Sequence, residues 1–298
     1  MTTAAEFNAQ LEKLMAVLPP PDQAPAEKTR QMRRDGTGIF PPPVYLPGAR
    51  WVDTPSGVRL RVLRPASGSP RGIYIHLHGG GWTLGAADLQ DPALQNLADA
   101  TGLVAASIEY RLAPEHPYPA GPDDCEAAVK WLLSEGPSAL DAPAWFAIGG
   151  ESAGAHLAVV TLLRLRDRSA IAAANLSFGC YDMSMTPSQR QWGDRYLVLS
   201  TPVIRWFADN FLPGMDPEAR RAPDVSPLYA RLDGMPKALF TVGDLDPLLD
   251  DSLFMYERWR AAGSEAELAL YPEAVHGFTA YPFDAAEAAL ARQYEFLR

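Results

Sequence analysis

Cysteine is scarce: Cys125 and Cys180 are the only two in 298 residues. That excludes a disulfide framework and a thiolate zinc site, and two reduced, buried thiols are expected. Basic charge is short as well. With 26 Lys and Arg against 36 Asp and Glu, the chain carries a net charge of −10. It lacks the basic face that a nucleic-acid backbone requires, so no nucleic-acid partner is expected. No run approaches the ~18 apolar residues of a membrane span. The opening MTTAAEFNAQLEKLMAVLPPP has neither the basic start nor the continuous apolar stretch of a secretory signal. A cytoplasmic protein without membrane insertion is the expectation. Internal repeats and low-complexity tracts are missing too.

What is present fits a globular chain. Apolar residues make up 47% and charged residues 21%, enough for a sizeable core in one large domain or two small ones. Proline is abundant at 28, clustered at Pro19 to Pro21 and Pro41 to Pro43, where it stiffens connections. Apolar residues at Phe7, Leu11, Leu14, Met15 and Leu18 have helical spacing, stopped by Pro19. A second helix is predicted over 24–34, then an extended linker, FPPPVYLPG. The segment WVDTPSGVRLRVLRP reads as two short strands around a Pro-Ser-Gly turn.

From Arg71 the pattern changes. RGIYIHLH, LVAASIEY, AWFAIGG, KALFTVGD and AELALYPE are apolar runs of strand length, separated by helical stretches such as DPALQNLADAT, DCEAAVKWLLSEG and SAGAHLAVVTLLRLRD. Continuous apolar strands alternating with helices predict an α/β fold, with a mostly parallel sheet covered on both faces. Residues 181–229 break the alternation. They are rich in Met, Pro, Trp and Asp, with a helix predicted around 202–210, and read as a subdomain outside the sheet.

The strongest local motif is Gly150-Glu151-Ser152-Ala153-Gly154, between a strand and a helix. A sharp turn there pushes the serine hydroxyl out at the strand end, and crowding demands the small flanking residues. Serine needs a base. Of five histidines, His76 lies inside a strand and His78 begins a glycine run that it is expected to brace. His116 sits in a proline-rich loop and His156 on the helix flank after Ser152. His276, in the loop after AELALYPE, lies where a parallel sheet gathers catalytic groups, at its carboxyl edge. The imidazole needs a carboxylate to fix its tautomer. VGDLDPLLDD offers Asp244, Asp246, Asp250 and Asp251; position favours Asp246 over Asp244 and reads the other two as helix-start charges. The order Ser, Asp, His is that of α/β-hydrolases. The run His78-Gly79-Gly80-Gly81-Trp82 lets backbone N–H groups approach a substrate, as an oxyanion hole does. It has neither the GxGxxG spacing nor the Lys-Ser/Thr ending of a nucleotide loop.

Together HGGGW, YRLAPEHPYPA, GESAG, GDLDPL and HGF resemble the hormone-sensitive-lipase-like family of α/β-hydrolase esterases, from about Arg71 to the C-terminus. The resemblance implies Ser152 as nucleophile, His276 as base, Asp246 as third member, and oxyanion donors from the backbone of Gly80, Gly81 and Ala153. It also implies a helical cap, here 1–45 plus 181–229, over a core formed by 46–180 and 230–298. Many members carry Asp or Thr where this chain has Glu151, and members are often dimers through the sheet edge. The expected activity is carboxylesterase, acting on small ester substrates through an acyl-enzyme without metal or organic cofactor. An amidase, formamidase or lactonase with the same triad is the alternative. A non-catalytic small-molecule receptor is disfavoured by the intact triad, and an interfacial lipase by the lack of a long amphipathic lid. Trp82, Tyr181, Trp192, Phe207 and Phe278 are candidate pocket residues. A closed aromatic pocket, with Met183, Met185, Trp206 and Phe211 nearby, favours short to medium acyl chains.

Overall fold

Near-continuous apolar strands need cover on both faces, and the observed architecture supplies it. The computed structural model describes residues 3–37, 42–165 and 167–298. Phe40 and Pro41 of the expected linker, and Arg166 after the helix that follows Ser152, lie outside the described residues. Eight strands form one sheet: β1 (Arg50–Asp53), β2 (Arg59–Leu63), β3 (Gly72–Leu77), β4 (Leu103–Glu109), β5 (Phe146–Glu151), β6 (Ile171–Ser177), β7 (Lys237–Leu245) and β8 (Ala266–Val275). Their spatial order is β1-β2-β4-β3-β5-β6-β7-β8. Strand β2 is antiparallel to both neighbours, and every pairing from β4 to β8 is parallel.

The helices α1 (Ala4–Met15), α2 (Ala26–Asp35), α3 (Asp91–Thr101), α4 (Ala120–Ser134), α5 (Gly136–Ala139), α6 (Ala153–Arg164), α7 (Pro187–Gln191), α8 (Thr201–Phe211), α9 (Leu249–Ala261) and α10 (Asp284–Leu297) complete the chain. Side chains of β3 alternate between two apolar clusters, as a strand's two-residue period dictates. Ile73, Ile75 and Leu77 join Val129 and Leu132 of α4 and Leu157 and Leu162 of α6, while Tyr74 joins Leu97 of α3 and Phe296 of α10. Each such fully buried side chain contributes roughly 1.5–3 kcal/mol.

The chain leaves β3 towards β4 on one side, and β5 pairs with β3 on the other. The carboxyl ends of β3 and β5 therefore flank a topological switch point, where open α/β sheets form their crevices. Strand β6, IAAANLS, was not expected from the sequence. Alanine and Asn175 give it little β propensity, and its place between β5 and β7 makes it a strand.

Residues 178–236, between β6 and β7, carry α7 and α8 outside the sheet. Helix α8 buries Val203, Ile204, Phe207, Ala208 and Phe211 along one stripe, and Ser200 caps it through Val203 N–H. Helix α1 opens on a reciprocal cap between Thr3 and Glu6. It buries Leu11 and Met15 in one cluster with Leu197 of the insertion and with Phe178, Phe278 and Phe283. The Phe7 ring stacks on Phe283 at 4.9 Å, and Arg195 of the insertion pairs with Glu12. Cys125 and Cys180 are both buried and unbridged. Among the described residues no helix is long and apolar enough to cross a membrane.

Candidate active site

Ser152 sits between the end of β5 and the start of α6 with φ 57° and ψ −120°. This left-handed backbone costs a non-glycine residue about 1–3 kcal/mol, so the surroundings must hold it. They do: Ser152 N–H donates to Ser177 O at 2.9 Å, and the turn presses on β3. A Cβ on Gly150 or on Gly154 would overlap the Leu77 carbonyl oxygen, which is why the motif needs glycine at both places.

His276, in the loop after β8, places Nε2 3.0 Å from Ser152 Oγ and Nδ1 2.9 Å from Asp246 Oδ2. The other carboxylate oxygen of Asp246 accepts from Leu248 N–H at 2.8 Å. Asp246 and His276 are 2% and 5% exposed, so little water competes for this chain of hydrogen bonds. The Phe178 ring packs edge-on against the imidazole at 5.1 Å. Asp244 is exposed and accepts from Glu273 N–H at 2.6 Å, steadying the segment that leads into His276. The β7–β8 register shifts between Gly243 and Leu245, at the point where these two aspartates part. Asp250 accepts from Ser188 N–H and is partly buried. Asp251 is buried and gathers Tyr181 N–H, Asp182 N–H, Thr186 Oγ1 and Gln189 Nε2. Burial raises the Asp251 carboxyl to about 7 against the pull of those hydrogen bonds.

The glycine run after β3 turns back beside Ser152, with φ 112° at Gly80, 59° at Gly81 and 57° at Trp82. Among the described residues the N–H groups of Gly80, Gly81 and Ala153 have no protein acceptor. A Cβ on Gly81 would overlap the Phe207 ring, so α8 rests directly on this loop. Tyr110 Oη donates to His78 O at 2.7 Å, and the two rings stack at 4.2 Å. Burial lowers His78 to about 4, leaving it a neutral brace, as its position before the glycines suggested. His156, likewise lowered to about 4 by burial, accepts from Trp82 Nε1–H at 3.0 Å and donates from Nε2 to Val225 O at 2.8 Å. His116 is exposed.

Of the candidate pocket residues, Phe207 is brought to the glycine loop. Trp82 is sunk between Phe211, stacked at 4.8 Å, and His156. Tyr181 lies fully buried, edge-on to Phe240, and Phe278 packs on Phe178, Tyr271 and Phe283. Trp192 joins the α1 cluster and donates to Arg195 O at 2.8 Å. An aromatic near a motif carries no signal of which way it points, and the pull of the core decided these four. Sequence reasoning did not single out Arg30. It lies in α2, whose guanidinium donates to Thr83 O at 2.6 Å and Ala113 O at 2.7 Å while pairing with Glu115. One arginine in a charged helix gives no sequence signal of such a role. Among the described residues no cluster of His, Cys, Asp or Glu is arranged to hold a metal ion.

The chain is similar to known proteins over most of its length. Residues 74–280 match the family model described as alpha/beta hydrolase fold. The chain is 34% identical over 215 residues to carboxylesterase NlhH of Mycobacterium tuberculosis, covering 69% of this chain and 66%, just under two thirds, of that protein. It superposes on a hyperthermophilic esterase from the archaeon Pyrobaculum calidifontis with TM-score 0.87 at 26% identity, covering 100% of this chain and 98% of the other. An esterase of the bacterial hormone-sensitive lipase family matches with TM-score 0.82 at 27% identity, over 99% and 97% of the two chains.

Proposed function

The chain belongs to the α/β-hydrolase family, on its hormone-sensitive-lipase-like branch, and from that premise we propose that it is a carboxylesterase acting on short- to medium-chain acyl esters. The observation that carries this reading is a Ser152–His276–Asp246 hydrogen-bond chain, next to a glycine loop and a helix start whose N–H groups at Gly80, Gly81 and Ala153 have no protein acceptor among the described residues. Asp246 holds the Nδ1–H of His276, which leaves Nε2 free to take the Ser152 proton. Ser152 Oγ attacks the ester carbonyl as that proton moves. The oxyanion develops towards the N–H groups of Gly80, Gly81 and Ala153, aligned before the reaction begins. Collapse of the tetrahedral species expels the alkoxide, which takes the proton from His276 and leaves as the alcohol, with Ser152 acylated. Water then repeats the sequence with His276 as base and releases the acid.

Substrate length follows from the roof of the site. Phe207 of α8 lies against Gly81 and is 8% exposed, which limits the room over the oxyanion loop. Across p-nitrophenyl esters, activity is expected to peak between about C2 and C8, and Phe207→Ala is expected to move the peak to longer chains. Peak activity on long-chain emulsions, with a jump when the interface forms, would contradict the reading.

Residues 1–45 and 181–229 act together as the cap over this site. In support, α1 buries Leu11 and Met15 against Leu197, and Arg30 of α2 holds the carbonyls of Thr83 and Ala113, next to the oxyanion loop. Removing residues 1–44 takes away that brace and uncovers the site, while the sheet retains its own strands and helices. Circular dichroism should show the sheet and its helices retained, while turnover falls at least about tenfold and the chain-length profile changes. A folded truncation with unchanged turnover and profile would remove this segment from the cap.

A further inference from the structure

A second chain of hydrogen bonds joins the two loops that meet at Ser152, and the reaction above does not use it. Glu151 is the last residue of β5, directly before Ser152. Its Oε1 accepts from Gly79 N–H at 2.6 Å and from Gln90 Nε2 at 2.9 Å, and its Oε2 lies 3.0 Å from His76 Nε2. His76 Nδ1 lies 2.9 Å from Ser107 Oγ, across the in-register pair of β3 and β4. Both are buried, and the Glu151 side chain is partly so. The backbones are also close: a Cβ on Gly79 would overlap the Glu151 carbonyl oxygen.

We propose that Glu151 is a positioning residue that locks the oxyanion loop onto the nucleophile turn, its carboxylate fixing the Gly79 N–H so that the next two N–H groups face Ser152. A carboxylate suits the task because it donates nothing and has room for about four incoming hydrogen bonds. It receives three here. Burial acts to raise the Glu151 pKa, but the neighbouring His76 and the hydrogen bonds from His76, Gly79 and Gln90 outweigh it, and the net shift is downward. Charge-assisted bonds of this kind are about twice as strong as neutral ones. Ser107 and His76 anchor the far oxygen in the sheet, so the rigidity of β3 and β4 reaches Gly79 through one side chain. This deepens the carboxylesterase reading and rests on it.

The test compares wild-type protein with Glu151→Ala and Glu151→Gln by steady-state hydrolysis of p-nitrophenyl butyrate and by amide hydrogen exchange over residues 79–81. For Glu151→Ala, kcat should fall about 100-fold, near the loss of one oxyanion donor, with KM within about threefold. Exchange at 79–81 should quicken while β5 and α6 keep their protection. Glu151→Gln keeps an acceptor without the charge and should restore most of the loss, leaving kcat about 3–10-fold down. A role in packing alone would lower the melting temperature and leave kcat and local exchange unmoved. A folded Glu151→Ala protein that shows only one of the two changes, or neither, overturns the proposal. If that variant does not fold, Glu151→Gln decides by the same two readings. If the wild-type chain hydrolyses no ester, the carboxylesterase reading fails, and exchange at 79–81 alone then decides the positioning role.

Discussion

Ser152→Ala is expected to lower ester turnover by about four to six orders of magnitude while the protein stays folded. The hydroxyl is the only atom removed. Alanine occupies the same left-handed turn at no greater strain, and the contacts of Gly150 and Gly154 with Leu77 remain. The residual rate would come from binding and the oxyanion donors, since the N–H groups of Gly80, Gly81 and Ala153 do not depend on the side chain. His276→Ala should be nearly as damaging, whereas His156→Ala should act through the Trp82 and Val225 bonds that hold the loop and the insertion. Turnover measurements on folded variants, checked by circular dichroism, decide this. A Ser152→Ala protein near wild-type turnover, or a greater loss from His156→Ala than from His276→Ala, would displace the assignment.

The second large effect is at Asp246. Asp246→Asn keeps the shape but offers no charge to the imidazolium that forms, and it lets His276 adopt the wrong tautomer. A loss of about 10⁴ in kcat is expected, as in serine proteases with the equivalent change. Asp244→Asn should cost far less, because Asp244 meets only the Glu273 N–H, which an asparagine oxygen can still accept. Measured kcat for the two variants ranks them, and the reverse order would move the third role to Asp244.

These two aspartates also mark how far the sequence could be read. GESAG between strand and helix, the glycine run after β3 and His276 after β8 were legible because each motif needs its place at a strand's carboxyl end. Asp244 and Asp246 lie two apart, so a regular strand would point both the same way. Asp246 lies one residue past the end of β7, where strand alternation no longer fixes its direction, so sequence spacing does not encode that it is the one to meet His276. Strand β6 was missed because its alanines and Asn175 carry a weak signal that its neighbours override. Glu151 was visible as a departure from the usual residue, but its partners His76 and Gln90 lie about 75 and 61 positions away in the chain and meet it only through the sheet. The same holds for Arg30, whose partners Thr83 and Ala113 are set by the docking of α2.

The account turns on Ser152 forming a covalent acyl-enzyme, and that is directly measurable. An alkyl fluorophosphonate reacts with a serine activated by histidine and mimics the tetrahedral species with a stable adduct. Intact-mass analysis of the treated protein, followed by peptide mapping, should show one adduct per chain, on Ser152, with hydrolysis of p-nitrophenyl butyrate lost in proportion. Ser152→Ala should take up none. An adduct on another residue, or full hydrolysis by protein that carries the adduct on Ser152, would contradict the mechanism.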